Sequence, residues 1–180
     1  VTLPADHAPA EGDGGAAALD LDRFLPYRLS VLANRVSRAL AAQYRDRFGL
    51  SIPEWRVLAV LGRDGRLSAV EIAARTSMDK VKVSRAIAAL LHKGLVRRQR
   101  DPRDRRVTRI EATPRGREVY GAIARLALDW QARWLGGCDD ATVRSVWRAL
   151  DLLGARLDAV GEETSCDRAA GRPAEREEVR

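Results

Sequence analysis

Apolar residues recur every three or four positions through much of the chain, and the places where that rhythm breaks divide it into elements. Leu25, Leu29, Leu32, Val36, Leu40 and Tyr44 form one stripe, so DRFLPYRLSVLANRVSRALAAQYRDRF predicts a long amphipathic helix, ended by Gly49. In SIPEWRVLAVLG, Ser51 and Glu54 have the spacing of a capping box, and Trp55, Leu58 and Leu61 mark the apolar face of a second helix. LSAVEIAARTS repeats the device: the Ser68 hydroxyl can accept from the amide of Glu71, the Glu71 carboxylate reaches back, and Leu67 and Ile72 staple a short third helix. After a polar turn at 76–79, DKVKVSRAIAALLHKG puts Val83, Ala86, Ile87 and Leu90 on one face of a fourth helix, with Asp79 as its N-cap and Gly94 just past its end.

The period then changes. LVRRQR and RVTRIEAT alternate in part, carry the β-branched residues Val96, Val107, Thr108 and Ile110, and flank the turn-forming DPRDR, which predicts an antiparallel hairpin. Thr113, Pro114 and Glu118 look like the start of a fifth helix reaching about Leu135. Gly136 and Gly137 break it, and Val143, Trp147, Leu150, Leu153 and Leu157 mark a sixth. Residues 1–20 and 161–180 are polar and without periodicity, so the reading is of disordered ends around a body from about Leu21 to Val160.

Composition narrows the function. With 180 residues, 46% of them apolar, the chain can bury a core without metal or disulfide staples. No run approaches the ~20 apolar residues that span a bilayer, and VTLPADHAPAEGDGGAAALD lacks the basic-then-apolar pattern of an export signal, so the expected address is cytoplasmic. Cys138 and Cys166 stand far apart and outside any metal-ligand spacing. There are two histidines and no HExxH, GxSxG or phosphate-cradling glycine loop, so neither an enzyme nor a cofactor is expected. The formal charge of +7 favours an anionic partner, nucleic acid before membrane.

That charge is concentrated. RRQRDPRDRRVTR, residues 97–109, holds seven arginines and two aspartates, a local +5. Three helices followed by a hairpin describe a winged helix-turn-helix, a mainly α fold with a small β-hairpin wing, whose second paired helix enters the major groove. On the fourth helix Val81, Arg85, Ala88 and His92 point away from the apolar face, with Lys82 and Ser84 at the margins. Lys82 and Arg85 can reach phosphates or guanine edges, Ser84 can donate or accept, and Val81 can meet a thymine methyl. Ser68 and Lys80 complete the DNA-facing set on the helices. At the tip of the hairpin Arg103 is placed to enter an adjacent A·T-rich minor groove, with Asp101 orienting it. Asp104, Arg105 and Arg106 divide between pairing within the wing and phosphate contact.

MDKVKVSRAIAALLHKGLVRRQRDPRDRRVTRIEATPRGREV resembles the recognition helix, wing and following helix of the MarR family of bacterial regulators, and D-P-R-D-R-R at 101–106 is similar to that family's D-x-R-D-x-R wing motif. The order of helices agrees from about residue 22 to 160. The resemblance implies a homodimer built from helix 1 (21–48) and helices 5 and 6 (114–160) around a DNA-binding unit at 50–113. It also implies a palindromic operator and release of DNA by a small molecule, as in a repressor. Many relatives take an aromatic carboxylate, and Tyr27, Arg28, Ser30, Asn34, Trp55 and Arg56 are the candidates for such an acid or its coenzyme A thioester. Members that sense peroxides use a cysteine in the first long helix, which has none here; a redox role for Cys138, or a constitutive architectural DNA-binding protein without effector, are the alternatives.

Overall fold

A computed structural model describes residues 19–100 and 107–170, with side chains as far as residue 160. The chain divides into two compact units, one ending at Tyr120 and the other beginning at Gly121. In the first, helix α1 (Leu25–Phe48) ends where Gly49 turns left-handed at φ 63° and its N–H donates to the Arg45 carbonyl. Among the described residues the C-terminal half of the α1 stripe is the covered part: Ala41 and Tyr44 are buried, whereas Leu25, Leu29 and Leu32 are exposed.

Both capping boxes form. Helix α2 (Ile52–Asp64) starts at Ser51, whose N–H donates to the Glu54 carboxylate at 2.6 Å while its hydroxyl accepts from the Glu54 N–H. Helix α3 (Ala69–Thr76) starts in the same way at Ser68 and Glu71. Asp79 caps helix α4 (Lys80–His92), and Gly94, at φ 68°, lets the chain leave it. Strands β1 (Val96–Arg100) and β2 (Thr108–Ala112) pair antiparallel, with Val96 opposite Ala112 and Arg100 opposite Thr108. The helices close on a core of Val57, Leu58, Leu61, Ile72, Val83, Ile87 and Leu90. Each such side chain contributes about 1.5–3 kcal/mol on burial, so this core outweighs any single cap, worth ~1 kcal/mol.

Helix α5 (Pro114–Leu135) begins inside the first unit rather than at a boundary at 113. Thr113 opens it: its hydroxyl accepts from Gly116 N–H and donates to the Gly94 carbonyl. A Cβ on Gly116 would lie 1.9 Å from the Leu95 carbonyl oxygen, so only glycine lets the helix start this close to β1. One turn on, Tyr120 lies over Gly62 and stacks on Trp55, which also packs against Tyr44.

The second unit holds the rest of α5 and helix α6 (Asp140–Ala170). The expectation of a disordered tail from 161 is corrected as far as Ala170. GEETSCDRAA is mostly composed of residues that a helix tolerates, and a single glycine costs only about 1 kcal/mol in a helix already propagating. No helix among the described residues is long and apolar enough to cross a membrane.

Candidate nucleic-acid interface

Helix α4 presents two unlike faces. Val83, Ala86, Ile87 and Leu90 are buried at 4% exposure or less, while Lys80, Val81, Lys82, Ser84, Arg85, Ala88 and His92 are exposed. Val81 is an apolar side chain left 59% open on an otherwise polar surface, as a thymine-methyl contact requires. Asp79 Oδ1 accepts from the Lys82 N–H at 2.7 Å, and Oδ2 pairs with Lys82 Nζ at 3.1 Å. These bonds, the backbone one first, hold the Asp79 carboxyl below its usual range, so the cap stays ionised. An exposed pair of this kind is worth under about 1 kcal/mol, so Lys82 can exchange Asp79 for a phosphate at little cost. Ser68 stands apart from the other expected contacts: its hydroxyl donates to Glu71 Oε2 at 2.7 Å, leaving no proton for a phosphate while the capping box is closed.

The hairpin sorts its arginines. Arg97 Nε donates to Glu111 Oε1 at 2.5 Å, Arg66 donates to Glu111 Oε2, and Arg109 Nη1 donates to Glu71 Oε2 at 2.5 Å. Burial pushes the Glu111 carboxyl up, but Arg97 and Arg66 outweigh it and hold it below the ordinary range. Arg98 and Arg100 are exposed on β1. Asp101, Arg103, Arg105 and Arg106 lie outside the described residues, and so does the expected pairing of Asp101 with Arg103. Missing from the sequence reading were Arg66, Glu111 and the Arg109–Glu71 pair. Their only sequence signal was a buried-strand position, Glu111, occupied by a carboxylate.

Beside the first turn of α4 lies an open cleft of about 550 Å³. Helix α1 contributes Asn34, Ser37 and Arg38, α2 contributes Arg56, and Asp79 and Lys82 close it from α4. Arg56 Nη2 donates to Ser37 Oγ at 3.0 Å. Of the six residues expected to bind an effector, the structure brings Asn34 and Arg56 into this cleft. Tyr27, Arg28 and Ser30 are exposed on the first turns of α1 and do not line it, and Trp55 belongs to the column with Tyr44 and Tyr120. Ser37 and Arg38 went unread, although they follow Asn34 at the i+3 and i+4 spacing that shares a helix face. Cys138 is exposed at the turn between α5 and α6.

A helix with one buried and one polar, basic face, followed by a two-stranded hairpin, is the arrangement of a winged helix-turn-helix. Residues 48–107 match the model of the MarR family. The chain is 28% identical over 83 residues to the HTH-type transcriptional regulator YdgJ of Bacillus subtilis, a match that spans 46% of this chain and about half, 51%, of that protein. It is 25% identical over 114 residues to the HTH-type transcriptional repressor IacR of Pseudomonas putida, covering 63% of this chain and 68% of IacR. The crystal structure of a MarR/EmrR family transcriptional regulator from Acinetobacter sp. ADP1 superposes with a TM-score of 0.71 at 25% identity, over 78% of this chain and 99% of that one. Bordetella bronchiseptica BpsR, whose DNA binding is regulated by 6-hydroxynicotinic acid, has the same fold at 22% identity, with a TM-score of 0.67 over 77% of this chain and 98% of that one. The likeness to the MarR family lies in the winged unit, residues 48–107. The curated relatives that it resembles are named transcriptional regulators.

Proposed function

We propose that this regulator binds a palindromic operator as a homodimer, represses from it, and releases it when a small aromatic acid or its coenzyme A thioester enters the cleft beside α4. Helices α1, α5 and α6 supply the dimer contacts and the unit at 50–113 the DNA contacts. The observation that carries this reading is the shared first turn of α4. Lys82 belongs both to the exposed face suited to DNA and to the wall of a cleft that also holds Arg38 and Arg56. A carboxylate held by those guanidinium groups would compete for the Lys82 ammonium and crowd the reading end of the helix. The repressor activity of IacR and the aromatic acid that regulates BpsR are in keeping with it. Within the DNA contact, Arg85 reads a base, Lys80 and Lys82 meet phosphates, and Arg103 enters the minor groove with Asp101 directing it.

The test is a thermal-midpoint screen against aromatic acids and their thioesters, followed by titration of a duplex that the protein has itself selected from a randomised pool. A ligand that raises the midpoint of the free protein and weakens its hold on that duplex is the expected result. Arg56→Ala should abolish both effects while leaving the duplex affinity without ligand unchanged. Tight duplex binding that no ligand alters would replace this reading with that of a constitutive DNA-binding protein.

A further inference from the structure

We infer that Glu71 and Glu111 are positioning residues for DNA binding: they lock the hairpin to helix α3 and to the connection before it at a fixed angle, so that the wing meets the minor groove while α4 occupies the major groove. This rests on the proposed reading of α4 and the wing, and adds what holds the two in register. The hairpin touches the α2–α3 connection through one backbone bridge, in which Leu67 N–H donates to the Ile110 carbonyl at 3.0 Å and Ile110 N–H donates to the Leu67 carbonyl at 2.7 Å. The bridge fixes one point, and the buried Val96, Ile110 and Ala112 seat the hairpin on the core. The residues on either side of Ile110 add side-chain ties to the helices and the connection between them. Arg109 and Glu111 lie two apart, hence on one face of β2, and each is tied to a different place: Glu111 to Arg66, before the bridge, and Arg109 to Glu71, in the first turn of α3. Glu111 also takes Arg97 from the opposite position on β1, so both strands are held.

The arrangement makes a clean test possible. Glu111 is 8% exposed, whereas the side chains of Arg66 and Arg97 are 55% and 54% exposed. Replacing the carboxylate by an amide therefore strands no buried charge, because both guanidinium groups can turn to water. At position 71 glutamine still completes a capping box, so Glu71→Gln removes the pair with Arg109 and keeps the helix start. Each variant also raises the net charge by one. If charge alone governed binding, both would bind DNA more tightly at low salt.

The experiment titrates the full-length protein and the variants Glu111→Gln and Glu71→Gln with the self-selected duplex carrying A·T-rich or G·C-rich flanks, at several salt concentrations. Wild type should prefer the A·T-rich flanks. Each variant should lose that preference, binding the A·T-flanked duplex about tenfold more weakly, while discrimination at the bases read by α4 and the circular dichroism spectrum stay as in wild type. Tighter binding to every duplex, or an equal loss on both flanks, would overturn the positioning role. A wild-type protein that discriminates half-site bases but ignores the flanks would instead remove the wing from the minor groove, and this inference with it.

Discussion

Glu71 carries several bonds on a single oxygen. Its Oε2 accepts from Ser68 N–H at 2.7 Å, from Ser68 Oγ at 2.7 Å and from Arg109 Nη1 at 2.5 Å. The Ser68 hydroxyl and backbone bonds, with Arg109 behind them, lower its pKa from 4.5 to about 2. The folded value lies below the unfolded one, so the stabilisation is fully present above the ordinary carboxylate range and is lost as pH falls through it towards the folded value. The wild-type protein should therefore melt above Glu71→Gln at neutral pH, with a difference that narrows between pH 4.5 and about 2. Melting curves taken across that range check this. The Glu71 side chain is 42% exposed, so water screens the interaction and the difference stays small. A gap that widened on acidification would contradict the assignment.

At the scale of an element, helix α4 is held differently at its two ends. Lys93 Nζ, just past its last turn, donates to the Gly49 carbonyl and to Glu54 Oε1, both at 2.7 Å, and Glu54 is only 6% exposed. Burial raises the Glu54 carboxyl, but Lys93 and Ser51 bring it below its usual value, so the carboxylate stays ionised. The first turn has the Asp79 cap and the buried Val83, and it borders the open cleft. Asp79→Ala should cost ~1 kcal/mol, the usual worth of a cap. That corresponds to a midpoint about 3 °C lower for a chain of this size. Because four core side chains hold the opposite face, the helix itself should persist, and urea unfolding should show a lower midpoint with an unchanged slope.

For the whole molecule the question is what covers the remaining apolar surface. Leu25, Leu29 and Leu32 are exposed on α1, and Trp147, Leu150 and Leu157 on α6, the last at 78%. Exposed apolar side chains on a helix face are rarely left to water in such number, and the proposed homodimer would place each face against a second copy. Sedimentation should show a dimer at micromolar concentration. Leu150→Glu combined with Leu157→Glu, seven residues apart and so on one face of α6, should shift it to a helical monomer with little affinity for a palindromic duplex. A double variant that stays dimeric would move the interface elsewhere. The recognition helices of the intact dimer should then be spaced for successive major grooves, ~34 Å apart.

The sequence by itself determined the helix starts at Ser51, Ser68 and Asp79, the stops at Gly49 and Gly94, the buried face of α4 and the hairpin that follows. Each depends on residues within about four positions of one another, where backbone geometry alone decides who meets whom. Tertiary structure decided the rest. Arg66 and Glu111 stand 45 positions apart and Glu71 and Arg109 stand 38 apart, so neither pair exists until β2 is laid beside the α2–α3 connection in one register. Trp55 sits on α2 where the sequence placed it, but only the approach of α5, permitted by Gly62 and Gly116, turned it to Tyr120 and away from the cleft. The way α1 meets α2 and α4 leaves Tyr27, Arg28 and Ser30 outside the cleft and puts Ser37 and Arg38 in its wall. A helical stripe specifies a face, while the angle at which two faces meet comes from how their side chains interlock.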